Sequence, residues 1–158
     1  MEKRFTLKRF AFEGFTLIEL LIVIAIIGIL ATVVIVALNP VQRFADARNS
    51  RRWNDVNSIL TAVHEYIVDN DGTLPTGVTS TEKQLGTCGS GGASVCTTAA
   101  AACLDLASTL AQYLKSIPLD PNGGSASTTY YSVVADANSI VTVKACNAEN
   151  SVSIQVSR

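Results

Sequence analysis

Glu19 is the residue most able to do chemistry in this chain. It stands at the lip of an apolar run, Leu20 to Leu38, that holds no charge and is interrupted only by Gly28 and Thr32. A carboxylate at membrane depth costs roughly 2.5–3.5 kcal/mol on insertion scales, so it needs a partner and marks a functional position. The other reactive side chains are Cys88, Cys96, Cys103 and Cys146, and the single histidine, His64. Nucleophile–base catalysis requires groups within hydrogen-bond reach of each other. His64 has only Glu65 beside it in sequence and is expected as a surface or interface residue. With no Gly-rich phosphate loop, metal-ligand helix motif or internal repeat, no enzyme is expected.

The apolar run must position Glu19, and it is long enough to span a bilayer. A helix of roughly 20 residues crosses a ~30 Å hydrocarbon core. The run is apolar on all sides, as a lipid-facing helix is. Before it, Lys3, Arg4, Lys8 and Arg9 outnumber Glu2 and Glu13. A secretory signal places a small-residue cleavage site after its apolar stretch; here Gly14 precedes it. Cleavage after Gly14 would leave the apolar segment on the mature protein.

The stretch Gly14-Phe15-Thr16-Leu17-Ile18-Glu19-Leu20-Leu21-Ile22-Val23-Ile24-Ala25-Ile26-Ile27-Gly28-Ile29-Leu30-Ala31 resembles the prepilin signature of type IV pilins and type II secretion pseudopilins. The resemblance is dense over the first 30 to 40 residues and loose beyond them. It implies a prepilin peptidase/methyltransferase that cuts between Gly14 and Phe15 and N-methylates Phe15. It also implies a filament of packed N-terminal helices, built with other pilin subunits on a pilus assembly platform. Glu19 would there meet the Phe15 amine of a neighbour, which keeps its charge when methylated. The resemblance further implies a single-pass protein of the bacterial cytoplasmic membrane, N-terminus inside, that passes into an extracellular or periplasmic filament. Charge bias alone does not orient the span, because Arg43, Arg48, Arg51 and Arg52 follow it as closely as four basic residues precede it.

The expected divisions are a leader (1–14), a transmembrane and filament-core helix (15–39), an amphipathic stalk helix (40–70) and a globular head (71–158). Asn39-Pro40 predicts a kink or a helix restart. Trp53, Val56, Leu60, Val63 and Ile67, with Ile59 alongside, form a stripe at helical spacing that predicts core packing. Asn70-Asp71-Gly72 ends that helix. The span and the stalk read as one long helix. The Arg43–Arg52 cluster reads as a headgroup or intersubunit surface, with a solvated face as the bland alternative.

Residues 73–99, rich in Gly, Ser and Thr, predict a long surface loop. Leu104, Leu106, Ala107, Leu110, Ala111 and Leu114 predict a short helix. Runs at 130–135, 139–146 and 151–156, rich in Val, Ile, Thr and Tyr, predict a three-stranded antiparallel meander. The fold class is therefore α+β, a long N-terminal helix packed on a small antiparallel sheet, as the resemblance also implies.

An even number of cysteines beyond an exported span reads as disulfides. Cys88–Cys96 would close a local loop, and Cys103–Cys146 would tie the short helix to the sheet. Without a Cys-x-x-Cys pair, zinc is not expected. Ile117-Pro118-Leu119-Asp120-Pro121 resembles the Pro-x-Asp-Pro segment of secretion pseudopilins, near which calcium can bind. Asp120 and Asp136 are the candidate oxygen donors. Asn122-Gly123-Gly124 replaces the Trp-Gly of that pattern and carboxylates are few, so a Pro-directed turn without cofactor is the favoured reading.

The chain has 158 residues and a net charge of −1. Without the leader it keeps eight basic and eleven acidic residues, so no nucleic-acid partner is expected. The function implied is a structural subunit of a type IV pilus-like filament. The alternatives are a pseudopilin of a type II secretion system and a non-polymerising, single-pass anchored binding domain.

Overall fold

A computed structural model describes residues 14–158, and all but the last residue of the leader lies outside them. The described chain divides near Pro40 into two compact units. The first contains helix α1 (Leu17–Leu38), in which no residue is buried. Ile, Leu and Val supply most of its surface on every side, so within the unit there is nothing to pack against. At ~1.5 Å per residue its 22 residues extend about 33 Å, the thickness of a hydrocarbon core.

The helix ends at Asn39, whose φ of 39° is left-handed. Helix resumes at Pro40, the first residue of α2 (Pro40–Asp69). Proline disfavours helical geometry in the residue before it and offers no N–H to the preceding turn. The single long helix read from sequence is therefore two helices. Of the two outcomes that Asn39-Pro40 allowed, the restart is the one found. The far end of α2 falls at Asp69, where the Gly72 amide donates to the Ile67 carbonyl.

The second unit, the head, is built around α2 and a four-stranded antiparallel sheet in the order β1 (Lys83–Gln84), β2 (Tyr131–Ala135), β3 (Val141–Ala145) and β4 (Ile154–Ser157). The three expected strands are present as β2–β4, with Val133 opposite Val143 and Val143 opposite Val156. The two-residue β1, inside the expected loop, was not legible because a strand so short has no period. The expected short helix is also absent. Residues 106–114 form isolated helical turns, closed by Leu110 N–H to Leu106 O and Leu114 N–H to Leu110 O.

One core joins α2 to the sheet. Val56, Ile59, Leu60 and Val63 meet Tyr131, Val133, Val141, Val143 and Ile154, with Leu106 and Leu110 closing one side. The stripe on α2 is as expected except at Trp53, which is 39% exposed. Traced back from Val56 at helical spacing, the buried face continues through Arg52, Asn49 and Ala45, so its N-terminal part is polar.

The disulfides are Cys88–Cys103 and Cys96–Cys146, not the pairs expected. The loop doubles back. The Leu104 amide donates to Gln84 O and the Cys103 amide to Cys88 O, which lays residue 103 beside residue 88. Cys96 is thereby left to reach Cys146, just past β3. The loop also lies near Glu82, which accepts from Thr98, Ser132 and Lys144.

Candidate functional site

Gly14, Phe15 and Thr16 precede α1 without regular structure. Phe15 is 86% exposed, and among the described residues a side chain added at Gly14 would meet nothing within 4 Å. Thr16 is the N-cap, in extended geometry. Glu19 reaches back over it. One carboxylate oxygen, Oε2, accepts from the Thr16 amide at 2.8 Å and from the Thr16 hydroxyl at 2.7 Å. The Glu19 amide in turn donates to Thr16 Oγ1 at 3.3 Å, completing a capping box. Thus the only carboxylate of this apolar segment is held at the helix end by two local donors. It lies one turn from the Gly14–Phe15 peptide bond.

Residues 9–35 match the family model of the prokaryotic N-terminal methylation motif. The chain carries a prepilin signature. It is the signature shared by type IV pilins and pseudopilins, and it covers well under half of the chain. No solved structure matches the chain. The motif supports a type IV pilin-like or pseudopilin protein that is processed by a prepilin peptidase. The apolar α1, most of which lies within the match, fits an inner-membrane anchor.

The head gathers a second set of charged groups, most of which sequence reasoning placed elsewhere. Arg52 has no exposed side-chain surface, and its guanidinium grips Asp120 with two bonds, Nε to Oδ2 at 2.6 Å and Nη2 to Oδ1 at 2.9 Å. Its Nη1 donates to Asn49 Oδ1 at 2.8 Å and to Glu149 Oε2 at 2.7 Å. Arg48 holds the same Glu149 through Nε at 2.7 Å and Nη2 at 2.5 Å. Asn49 closes the ring by donating to Glu149 O and accepting from the Glu149 amide.

The bonds from Arg48, and then from Arg52, hold the Glu149 carboxyl down to about 2. Burial works against the charge on Arg52, but the bonds from Asp120 and Glu149 outweigh it and raise its pKa further. Two of the four arginines expected at a headgroup or intersubunit surface are thus occupied inside the head. Arg43 and Arg51 remain exposed, Arg51 at 3.7 Å from Asp55.

The calcium candidates are not brought together. Asp120 pairs with the segment before β2, its amide donating to Thr129 O. Asp136 follows the other end of β2 and accepts from the amides of Asn138 and Ile140, closing the β2–β3 turn. A five-residue strand at ~3.3 Å per residue separates them by about 16 Å. Asp120 also accepts from the Asn122 amide and from Asn147. Its carboxylate sites are filled and its neighbour is a cation, so these residues do not fit calcium. Among the described residues no group of three His, Cys, Asp or Glu side chains is placed to hold a metal.

The Asn122-Gly123-Gly124 departure has a local cause. The Gly124 amide bonds Asp120 O, and a Cβ there would sit 2.3 Å from Asp120 N. Gly123 has a φ of 98°. The two glycines let the chain fold tightly around Asp120. His64 is half-buried with Nε2 unpartnered, in a groove of about 480 Å³ with Thr61, Glu65, Val68, Asp69, Tyr113 and Arg158. Its Nε2 bonds neither Glu65 nor Asp69 of that groove. Helical spacing held the signal for Arg52 and Asn49, but an arginine on such a stripe reads as the end of the buried face.

Proposed function

We propose that this chain is the structural subunit of a type IV pilus-like filament, cut between Gly14 and Phe15 and methylated on Phe15. The observation that carries the reading is the Gly14–Glu19 segment, which leads into the first turn of a helix with no buried residue. Among the described residues, nothing lies within 4 Å of a side chain added at Gly14. On this reading, the glycine answers to the peptidase that recognises it. The bond to be cut sits in exposed, irregular chain, where a peptidase can reach it.

Assembly follows from the same residues. While the subunit waits in the membrane, Thr16 supplies donors to Glu19 and lowers the cost of an acid at that depth. Removing the leader creates a cationic amine on Phe15. In a filament, that amine of a neighbour meets Glu19 and sets the axial register. Buried ion pairs add little stability over apolar packing, but setting register is their best-attested use. The apolar surface of α1, given up by lipid, is covered by the α1 helices of other subunits. The pseudopilin alternative shares all these N-terminal features. A calcium-bound head has no support in the donor set around Asp120, which favours the pilus reading over a calcium-dependent pseudopilin.

Intact mass and N-terminal peptide mapping of the protein from its native membranes test this. The expected chain begins at Phe15 and is heavier by one methyl group. A chain beginning at Met1, in cells with active prepilin peptidase, would overturn the reading and favour a simple anchored domain.

A further inference from the structure

We propose that Arg52 is the head's built-in cation, clamping three segments together so that the head folds and stays closed without a divalent metal. The inference concerns the head alone and stands whether or not the chain polymerises.

The three segments are the first half of α2, the turn at 118–122, and the loop at 147–150 that links β3 to β4. They are far apart in sequence, and neither loop has regular structure. What joins them is charge. Arg52 binds both Asp120 oxygens, one Glu149 oxygen and Asn49 Oδ1, which uses four of the five N–H donors of a guanidinium. Asn147 links the two loops directly, donating to Asp120 Oδ1 and to Asn122 O. Arg48 covers Glu149 from the more exposed side.

The cluster is balanced. Arg48 and Arg52 face Asp120 and Glu149, so no net charge is left in the interior. Asp120 and Glu149 are hard oxygen donors drawn from separate loops, and such groups are what a calcium ion collects. Here a planar fork does the collecting, with paired bonds matched to carboxylate geometry. A divalent ion added beside Asp120 would meet the Arg52 guanidinium, and both Asp120 and Glu149 are already paired with arginines. A buried arginine left without acids would be strongly destabilising, and so would the acids without it. The clamp is thus an alternative to metal, not an accessory to one.

Thermal unfolding of the purified full chain in detergent is the test. The wild-type midpoint is expected to stay within about 2 °C in excess EDTA and in millimolar calcium. A calcium-dependent rise of 5 °C or more, about 1 kcal/mol by the usual conversion, would overturn the proposal. Arg52→Met keeps bulk and removes charge, and is expected to lower the midpoint by at least about 10 °C. Combining it with Asp120→Asn separates charge from packing. If Arg52 acts as the cation, the double variant unfolds at a higher temperature than Arg52→Met alone. If it unfolds at the same or a lower temperature, Arg52 is mere filling and the proposal fails. Should Arg52→Met not fold, the metal-response arm on the wild type still decides.

Discussion

Two carboxylate sites, in two regions of the molecule, are treated in opposite ways. In the N-terminal segment, Glu19 sits among apolar residues and, among the described residues, is bonded by the amide and hydroxyl of the nearby Thr16. In the head, Asp120 and Glu149 are each gripped by guanidinium groups, and the Asp120 carboxylate also accepts from the Asn122 amide and from Asn147. An acid answered inside the fold is structural, because its partner was supplied by folding. An acid left with local hydrogen bonds and no counter-charge stays open to a partner from outside. On the proposed function, the same residue chemistry serves assembly in one region, while in the other it serves architecture.

The sharpest way to break this contrast is Glu19→Ala. It should leave membrane insertion and the processed N-terminus unchanged by mass, yet abolish recovery of sheared filaments. Unchanged filament yield would place Glu19 with the structural acids. Next in size, Asp120→Ala leaves Arg52 buried and unanswered and should cost about 3–5 kcal/mol in denaturant unfolding of the head. A loss under about 1 kcal/mol would show that water or another acid takes its place.

The disulfides give a graded comparison within the head. Cys96–Cys146 spans 50 residues and Cys88–Cys103 spans 15. Loop-closure entropy assigns them roughly 4 and 3 kcal/mol respectively. Replacing Cys96 and Cys146 by serine should therefore lower the unfolding midpoint more than replacing Cys88 and Cys103. The reverse order would mean that the tightly folded 88–103 loop contributes more to the native state than to restraint of the unfolded chain.

The smallest effect concerns pH. Glu149 has its folded-state pKa depressed to about 2, from an ordinary 4.5. The stability it contributes is thus fully present above the ordinary value and is lost as pH falls toward about 2. The midpoint difference between wild type and Glu149→Gln should be constant from pH 8 to 5 and shrink between pH 4.5 and 2.5. A difference that persists to pH 2.5 would assign the loss to shape and not to charge.

Much of this molecule was readable in advance. The span of α1, the end of α2 at Asn70-Asp71-Gly72, the core stripe from Val56 to Ile67 and strands β2–β4 follow from local periodicity and turn chemistry, which act over a few residues. The prepilin signature over residues 9–35 was readable for the same reason, since its members are neighbours in sequence. What failed was whatever depended on distant segments meeting. The cysteine pairing was misjudged because nearness in sequence was taken for nearness in space. The short helix after Cys103 yielded to turns, although its apolar residues still reach the core.

The sequence by itself determined the N-terminal segment: its length, its uniform apolarity, its single carboxylate and the glycine before it. These are properties of consecutive residues and require no tertiary contact. Only the tertiary structure decided that Arg52 would be buried against Asp120 and Glu149, residues 68 and 97 positions away. The same fold brought Cys96 to Cys146 across 50 residues. Charge and thiol chemistry have no periodicity, and their partners are chosen by the packing of α2 on the sheet, which fixes which loops lie over which helical turns.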